Sequence, residues 1–337
     1  MSDKRFLGSI ITDNPTTPSG PFQDGAASGV WSLTEALTYQ KAGLWPIPGN
    51  ILPIGLLAGR GALTNEIQRI TIATLGDSTD FGDQTLSRNF MAGLGSATRG
   101  VFAGGNISGG TTDTIDFVTI ASAGNAQDFG DLTTATSLCA GTCNNTRGIF
   151  FGGRQGSDDQ VNQIQYITIA SAGNAQDFGD LIRAIWGTGA LASNTRAVEA
   201  GGRADGVFNE IQFVTIASTG NATDFGDLTS TGYGLAGCSS STRGVFSGET
   251  GGSNVIQYIT IASAGNASDF GDLTVSRSIN SACSSNTRGL SAGGEGTART
   301  VDYFTIASTG NALDFGDLVA DNVEGCGLSN AHGGIAA

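Results

Sequence analysis

Ile164-Gln165-Tyr166-Ile167-Thr168-Ile169-Ala170-Ser171-Ala172-Gly173-Asn174-Ala175-Gln176-Asp177-Phe178-Gly179-Asp180-Leu181 is one of six copies of a single phrase. The copies centre on Phe81, Phe129, Phe178, Phe225, Phe270 and Phe315, so the steps are 48, 49, 47, 45 and 45 residues. Twelve places before each Phe stand Arg69, Phe117, Tyr166, Phe213, Tyr258 and Tyr303. Length varies only outside the phrase. A period of about 40 to 50 residues is the mark of propellers and solenoids.

Working outward from the phrase, each unit offers four strands. Leu138–Thr142 is a small-residue strand, and a tight turn at Asn144–Gly148 follows. Ile149–Phe151 ends on Gly152-Gly153, and a variable loop leads to Ile164–Ile169. A Gly-Asn turn leads to a short fourth strand around Phe178–Leu181. The third strand carries Ile164, Tyr166 and Thr168 on one face and Ile167 and Ile169 on the other, so its sheet needs cover on both sides. Radially stacked four-stranded antiparallel blades supply that cover.

The fold expected is therefore all-β: a six-bladed propeller over residues 51–337, with residues 1–50 as an arm holding one helix. Cys326–Ile335 repeats the wording of strands one and two, with His332 where an Arg stands elsewhere. Ile54–Gly59, Ile67–Ile72 and Phe81 repeat strands two, three and four. The two ends should share one blade, with one second strand left over. In the arm, Ser32 and Glu35 form a capping box, placing a helix over about 33–42 with Gly43 as its cap and Pro46 beyond. A helix of about ten residues is marginal alone. Trp31, Leu33, Leu37, Leu44 and Trp45 are its candidate attachment residues.

Composition limits the function. Of 337 residues 53 are Gly, and only 14% are charged, with net charge −14. The basic residues form no cluster, which disfavours nucleic acid. Two Asp per repeat supply 12 of the 30 acidic residues, and they read as turn chemistry beside an aromatic wedge between blades. Five Cys without CxxC spacing argue against a zinc site or disulfide framework. Cys238 and Cys283 hold equivalent places and read as buried small side chains. No run approaches the ~18 apolar residues of a membrane span, and the N-terminus lacks a signal-peptide core. The protein is expected to be made in a cytoplasm.

Six Asp-Phe-Gly copies without a catalytic loop or phosphate-binding Lys exclude a kinase reading. The two Asp of each phrase are too few for a calcium loop. His332 is the only His, and no nucleophile–base–orienter grouping stands out. The expectation is a non-enzymatic protein with no catalytic residue, cofactor or metal.

Recognition should fall where the repeat breaks. Eight places after each Phe stand Asn89, Ser137, Trp186, Tyr233, Ser278 and Val323. Trp186 and Tyr233 are either core fillers or exposed platforms for sugar or protein. The loop between strands two and three carries Arg154, Asp158 and Asp159, then Arg203 and Asp205, then Glu249, then Glu295 and Arg299. Loops on a rigid scaffold commonly carry recognition. Trp186, Tyr233, Arg154, Arg203 and Arg299 are the candidate surface residues.

The Gly-Gly after strand two and the aromatic in strand three resemble the kelch-type β-propeller. Tyr166 and its equivalents match the kelch Tyr, and Phe178 and its equivalents stand where kelch repeats place a Trp. The wording Tyr166–Leu181 is similar to kelch-like virion structural proteins of tailed phages, those of cyanophages among them. Gly29-Val30-Trp31-Ser32-Leu33 and Ala42-Gly43-Leu44-Trp45-Pro46 resemble segments of phage tail and fibre proteins. The resemblance implies a virion location, assembly in the host cytoplasm and partners among other virion proteins. It also implies several copies of the chain and a host-surface glycan or protein as receptor. It implies no membrane insertion. A glycan-binding or glycan-active propeller is the alternative, and converging carboxylates in the axial channel would favour the enzyme. A eukaryotic kelch adaptor would carry a further partner-binding domain.

Overall fold

The computed structural model describes residues 31–41, 52–61, 63–156 and 159–335. They fall into two compact units divided between Leu52 and Pro53.

In the first unit a helix runs Leu33–Lys41. The capping box forms: the Glu35 N–H donates to Ser32 Oγ at 3.2 Å, and the Ser32 N–H donates to Glu35 Oε2 at 3.0 Å. The Ser32 hydroxyl, donating to Glu35 Oε2 at 2.6 Å, and then the Ser32 N–H hold the Glu35 carboxyl below its usual pKa. Trp31 meets Tyr39 edge-on at 5.4 Å, and Leu37 is exposed. Gly43, Leu44, Trp45, Pro46 and the Leu33 side chain lie outside the described residues.

The second unit is a six-bladed β-propeller. Blade one is built from Ala92–Gly95, Arg99–Ala103, Thr114–Thr119 and Gln127–Asp131, paired antiparallel in that order from the axis outward. Blades two to five repeat the order; their third strands are Gln163–Thr168, Glu210–Thr215, Ser253–Thr260 and Thr300–Thr305. Blade six is shared. Cys326–Ser329 is its inner strand, followed by Ile54–Ala58, Thr64–Thr71 and Thr79–Arg88. The leftover second strand is thus the C-terminal one: Ile54–Ala58 takes that place, and the chain after Ser329 turns away toward the axis.

The phrase is explained at the blade joints. Each Phe of the Asp-Phe-Gly-Asp run is buried, at 2–3% exposure. Five of them lie edge-on to the aromatic twelve places earlier, for example Phe213 to Phe225 at 5.8 Å, while Phe81 has Arg69 at that place. Phe178 packs with Val214 and Ile216 of the next blade. Beside it runs a short backbone ladder. Gly220 N–H donates to Phe178 O and Ala222 N–H to Asp180 O, both at 2.8 Å. The Asn221 side chain accepts the Asp180 N–H at 3.0 Å. The same three bonds recur at the other joints, with Asp77 and Ser78 replacing Asn and Ala at blade six. This corrects one expectation. The phrase's Asp joins the turn through its backbone, and the side chain that bonds is the Asn. Asp80, Asp128, Asp177, Asp224, Asp269 and Asp314 are exposed on the rim.

An arginine fastens five of the joints. Arg99, Arg147, Arg196, Arg243 and Arg288 each lie over their own blade's third-strand aromatic, 4.4–4.8 Å from its centroid. Each donates to a carbonyl of the next blade: Ile169, Ile216, Ile261, Ile306 and Ile72. A hydrogen bond from a charged donor contributes about 1.5–3 kcal/mol, and the ring contact about 0.5–1 kcal/mol. In blade six the register puts Ile54 at the arginine's place, opposite Thr71. The joint between blades six and one therefore lacks this fastening.

That joint has another. Arg88, fully buried, pairs with Asp116 and donates to Thr114 O at 2.8 Å. Between blades four and five, Arg277 pairs with Asp302 at 2.8 Å, again fully buried. At the Asp116 and Asp302 position the other blades carry Gln68, Gln165, Gln212 and Gln257. There the position of Arg88 and Arg277 is filled by Asn322, Thr136, Ile185 and Gly232. Asp and Arg occur together, and Gln occurs without Arg.

Candidate functional site: the axial mouth and its rim

The six inner strands run in the same direction along the axis, so the channel has two unlike ends. Their small residues (Gly93, Gly141, Ala190, Gly237, Ala282 and Gly327) bring the strands close. The channel holds cavities of about 40, 90 and 70 Å³. These accommodate a few waters, far below the ~300 Å³ of a small-molecule pocket. All five Cys are buried free thiols in or beside these inner strands.

One end is closed by the residues after Ser329. His332 Nε2 donates to Gly95 O at 2.7 Å, and its Nδ1 accepts the Gly334 N–H at 3.1 Å. Gly333 N–H donates to Ser239 O, and Asn145 Nδ2 donates to Ile335 O. A Cβ at Gly334 would stand 1.9 Å from Cys143 O, so only glycine fits there. The segment thus touches blades one, two and four. Cys143 Sγ lies 3.4 Å from His332 Nε2. This is thiol beside imidazole, but burial pushes the thiol up to about 12 and the imidazole down to about 4. A neutral pair of this kind is the reverse of an activated nucleophile and base. Its role is to fill and hold.

The other end is the mouth, and the described parts of the loops between strands two and three lie around it. Six equivalent residues there have left-handed backbones: Phe90, Leu138, Gly187, Gly234, Ile279 and Glu324, with φ between 52° and 72°. For β-branched Ile279 this is a strained conformation. The strain is held by backbone bonds running head to tail around the axis. Leu138 N–H donates to Phe90 O, Gly187 to Leu138, Gly234 to Gly187 and Ile279 to Gly234, at 2.6–3.0 Å, and Phe90 N–H donates to Glu324 O at 2.6 Å.

On the rim of this ring the structure brings four of the five candidate surface residues together. Trp186 and Tyr233 meet edge-on at 5.2 Å. Arg154 lies over Trp186 at 5.0 Å; Arg203 lies 5.7 Å from Trp186 and 5.3 Å from Tyr233. Arg203 donates to the Tyr233 hydroxyl at 3.2 Å. The backbones of Trp186 and Arg203 bridge, as do those of Ser137 and Arg154. Each aromatic directly precedes a left-handed glycine of the ring, Gly187 and Gly234, and the Tyr233 ring lies against Gly187. Arg299 is not part of this cluster. It pairs with Asp321 at 2.8 Å, beside Arg60. Opposite the arginines the ring carries acid. Glu324 accepts from Asn89 at 2.7 Å, and Glu295 accepts from Ser278 at 2.9 Å. Burial and the nearby Glu295 charge raise the Glu324 pKa.

Glu199, like the buried pairs Arg88–Asp116 and Arg277–Asp302, escaped the sequence reading. Glu199 is fully buried where other second strands place Leu57, Phe102, Phe150, Phe246 or Ser291. That mismatch among repeats was its visible signal. Thr188 and Gln212 are near, but neither closes a hydrogen bond to its carboxyl. Burial pushes the pKa up to about 8. An unfolded chain loses this proton near pH 4.5, whereas the folded one keeps it to about pH 8, so stability falls as pH rises across that window. Glu199→Gln is expected to add about 1–3 kcal/mol at pH 8 and nearly nothing at pH 4.5. Thermal melts at the two pH values check this; equal shifts would show that the carboxyl is not held protonated.

No protein-family model matches the chain, and no curated protein matches it significantly.

Proposed function

We propose that this protein is a non-enzymatic structural protein of a tailed-phage particle. The propeller serves as a display or host-adsorption module of the tail or fibre, and residues 1–50 attach it to other virion proteins. One observation carries the reading: the repeated side chains are consumed in joining blades, and the axis is narrow and closed at one end. Such a ring presents a rigid face of variable loops. The likeness of the repeat wording to kelch-like virion proteins supports the same reading. So does the capped helix, with exposed Leu37 and half-buried Trp31 in a unit of its own.

The test is removal of residues 1–48. The expected result is a propeller that folds and melts as before but no longer enters particles. Normal incorporation without the arm would overturn the reading. The glycan-active alternative has one observation in its favour, the Glu295 and Glu324 pair at the mouth with the raised Glu324 pKa. Polysaccharide cleavage lost in Glu324→Gln would establish it in place of the display role.

A further inference from the structure

The mouth loops of blades two and three carry both signs of charge, Asp159 and Asp205 beside Arg154 and Arg203, but the two arginines are left unpaired. Most described arginines are committed to blade joints or to surface ion pairs. Arg154 and Arg203 are not. Among the described residues neither has a carboxylate within ion-pair distance. Arg154 Nε is buried without a hydrogen-bond partner, which leaves its terminal nitrogens as the edge for a ligand, and the Arg203 guanidinium donates to the Tyr233 hydroxyl. Both guanidinium planes are held against rings, which fixes their orientation with little entropy left to lose. Guanidinium edges in that state match carboxylates and sulfates bidentately. The half-buried Trp186 and Tyr233 supply amphipathic surface for the C–H faces of a sugar.

We propose that Arg154, Trp186, Arg203 and Tyr233 form a binding site for an acidic saccharide, a chain bearing recurring carboxylate or sulfate groups. The two arginines stand on successive blades, so the ligand engages them with successive charged units. It lies across the rim; the axial cavities are too small for a sugar ring, and Glu295 and Glu324 repel anionic groups from the far side of the mouth. Nucleic acid is the other polyanion. The two rim arginines, on a chain of net charge −14, offer too few phosphate contacts to hold it. The site deepens the display role proposed above and rests on it for its biological use. Its test is run on the isolated full chain, so binding and particle incorporation can fail separately.

Oligogalacturonate, low-mass dextran sulfate, neutral maltoheptaose and oligothymidylate are titrated into the protein by calorimetry and tryptophan fluorescence. Trp186 is the one tryptophan outside the arm. The expected result is binding of at least one acidic saccharide, weakening with salt. Affinity should fall at least tenfold in Arg154→Gln/Arg203→Gln with unchanged melting, and the fluorescence response should be lost in Trp186→Phe. Arg203→Lys keeps the charge without the fork and should bind at an intermediate level; it serves alone if the double variant misfolds. Which anion binds separates carboxylate from sulfate recognition. No binding of either, equal affinity for maltoheptaose, tighter binding of oligothymidylate, or indifference to the arginine variants would each overturn the proposal.

Discussion

Deleting Cys326–Ala337 is expected to abolish the cooperative unfolding transition of the propeller. The deletion removes the inner strand of blade six, so Ile54–Ala58 loses its partner and two blade faces open to water. Cys326 and Leu328 are buried, and Leu328 packs where Gly95 and Gly100 of blade one leave room. Burial of one such Leu is worth about 2–5 kcal/mol by truncation. Ser329 Oγ donating to Ser284 O and Asn330 Oδ1 accepting the Ile54 N–H are lost as well. Against a total of about 5–15 kcal/mol for a domain, the sum is disabling. Calorimetry checks it, and an unchanged melting curve would refute ring closure. Deleting only Ala331–Ala337 spares the strand and should lower the midpoint without removing the transition.

The second large effect is at the buried ion pairs. Arg277→Thr leaves Asp302 fully buried with no counter-charge, although Thr274 still donates to it through its N–H and hydroxyl. Breaking such a pair costs about 3–5 kcal/mol. Adding Asp302→Gln to Arg277→Thr rebuilds the joint that Thr136 and Gln165 make between blades one and two, where Gln165 Oε1 accepts the Thr133 N–H at 2.7 Å. The double variant should recover at least half of the loss. Urea denaturation of the wild type, Arg277→Thr, Asp302→Gln and the double variant closes the cycle; additive losses would show that the two side chains do not act as a pair.

Blade number and the shared blade were legible because they are matters of counting. Six phrases, and a split copy at the two ends, leave little freedom once each sheet must be covered on both faces. The choice between Ile54–Ala58 and the C-terminal copy was not legible. Both fit the second-strand wording, and what decides is the fit of Gly333 and Gly334 against Ser240 O and Cys143 O. The role of Asn in the Gly-Asn turn was hidden for a related reason: its partner is on another blade, about a full repeat away in sequence. Trp186, Tyr233, Arg154 and Arg203 could each be picked out as breaks in the repeat. Their stacking depends on loops of adjacent blades meeting at the mouth, which spacing along the chain does not encode. Arg299 shares their chemistry but belongs to a distant blade, and Asp321 claims it.

Sharing a blade between the two ends has a cost during synthesis. Ile54–Ala58 leaves the ribosome well before Cys326–Ser329, the strand that pairs with its inner edge. At about 5–20 residues per second the wait is on the order of tens of seconds. Throughout it an apolar strand, Ile-Gly-Leu-Leu-Ala, offers unpaired backbone groups to any neighbouring nascent chain. The hazard is limited by the strand's shortness and by the Gly59-Arg60 that ends it, a turn-former and a charge at the point where a foreign strand would extend its pairing. On a polysome, where identical chains emerge side by side, those two residues guard against chain-to-chain pairing until Cys326–Ser329 arrives.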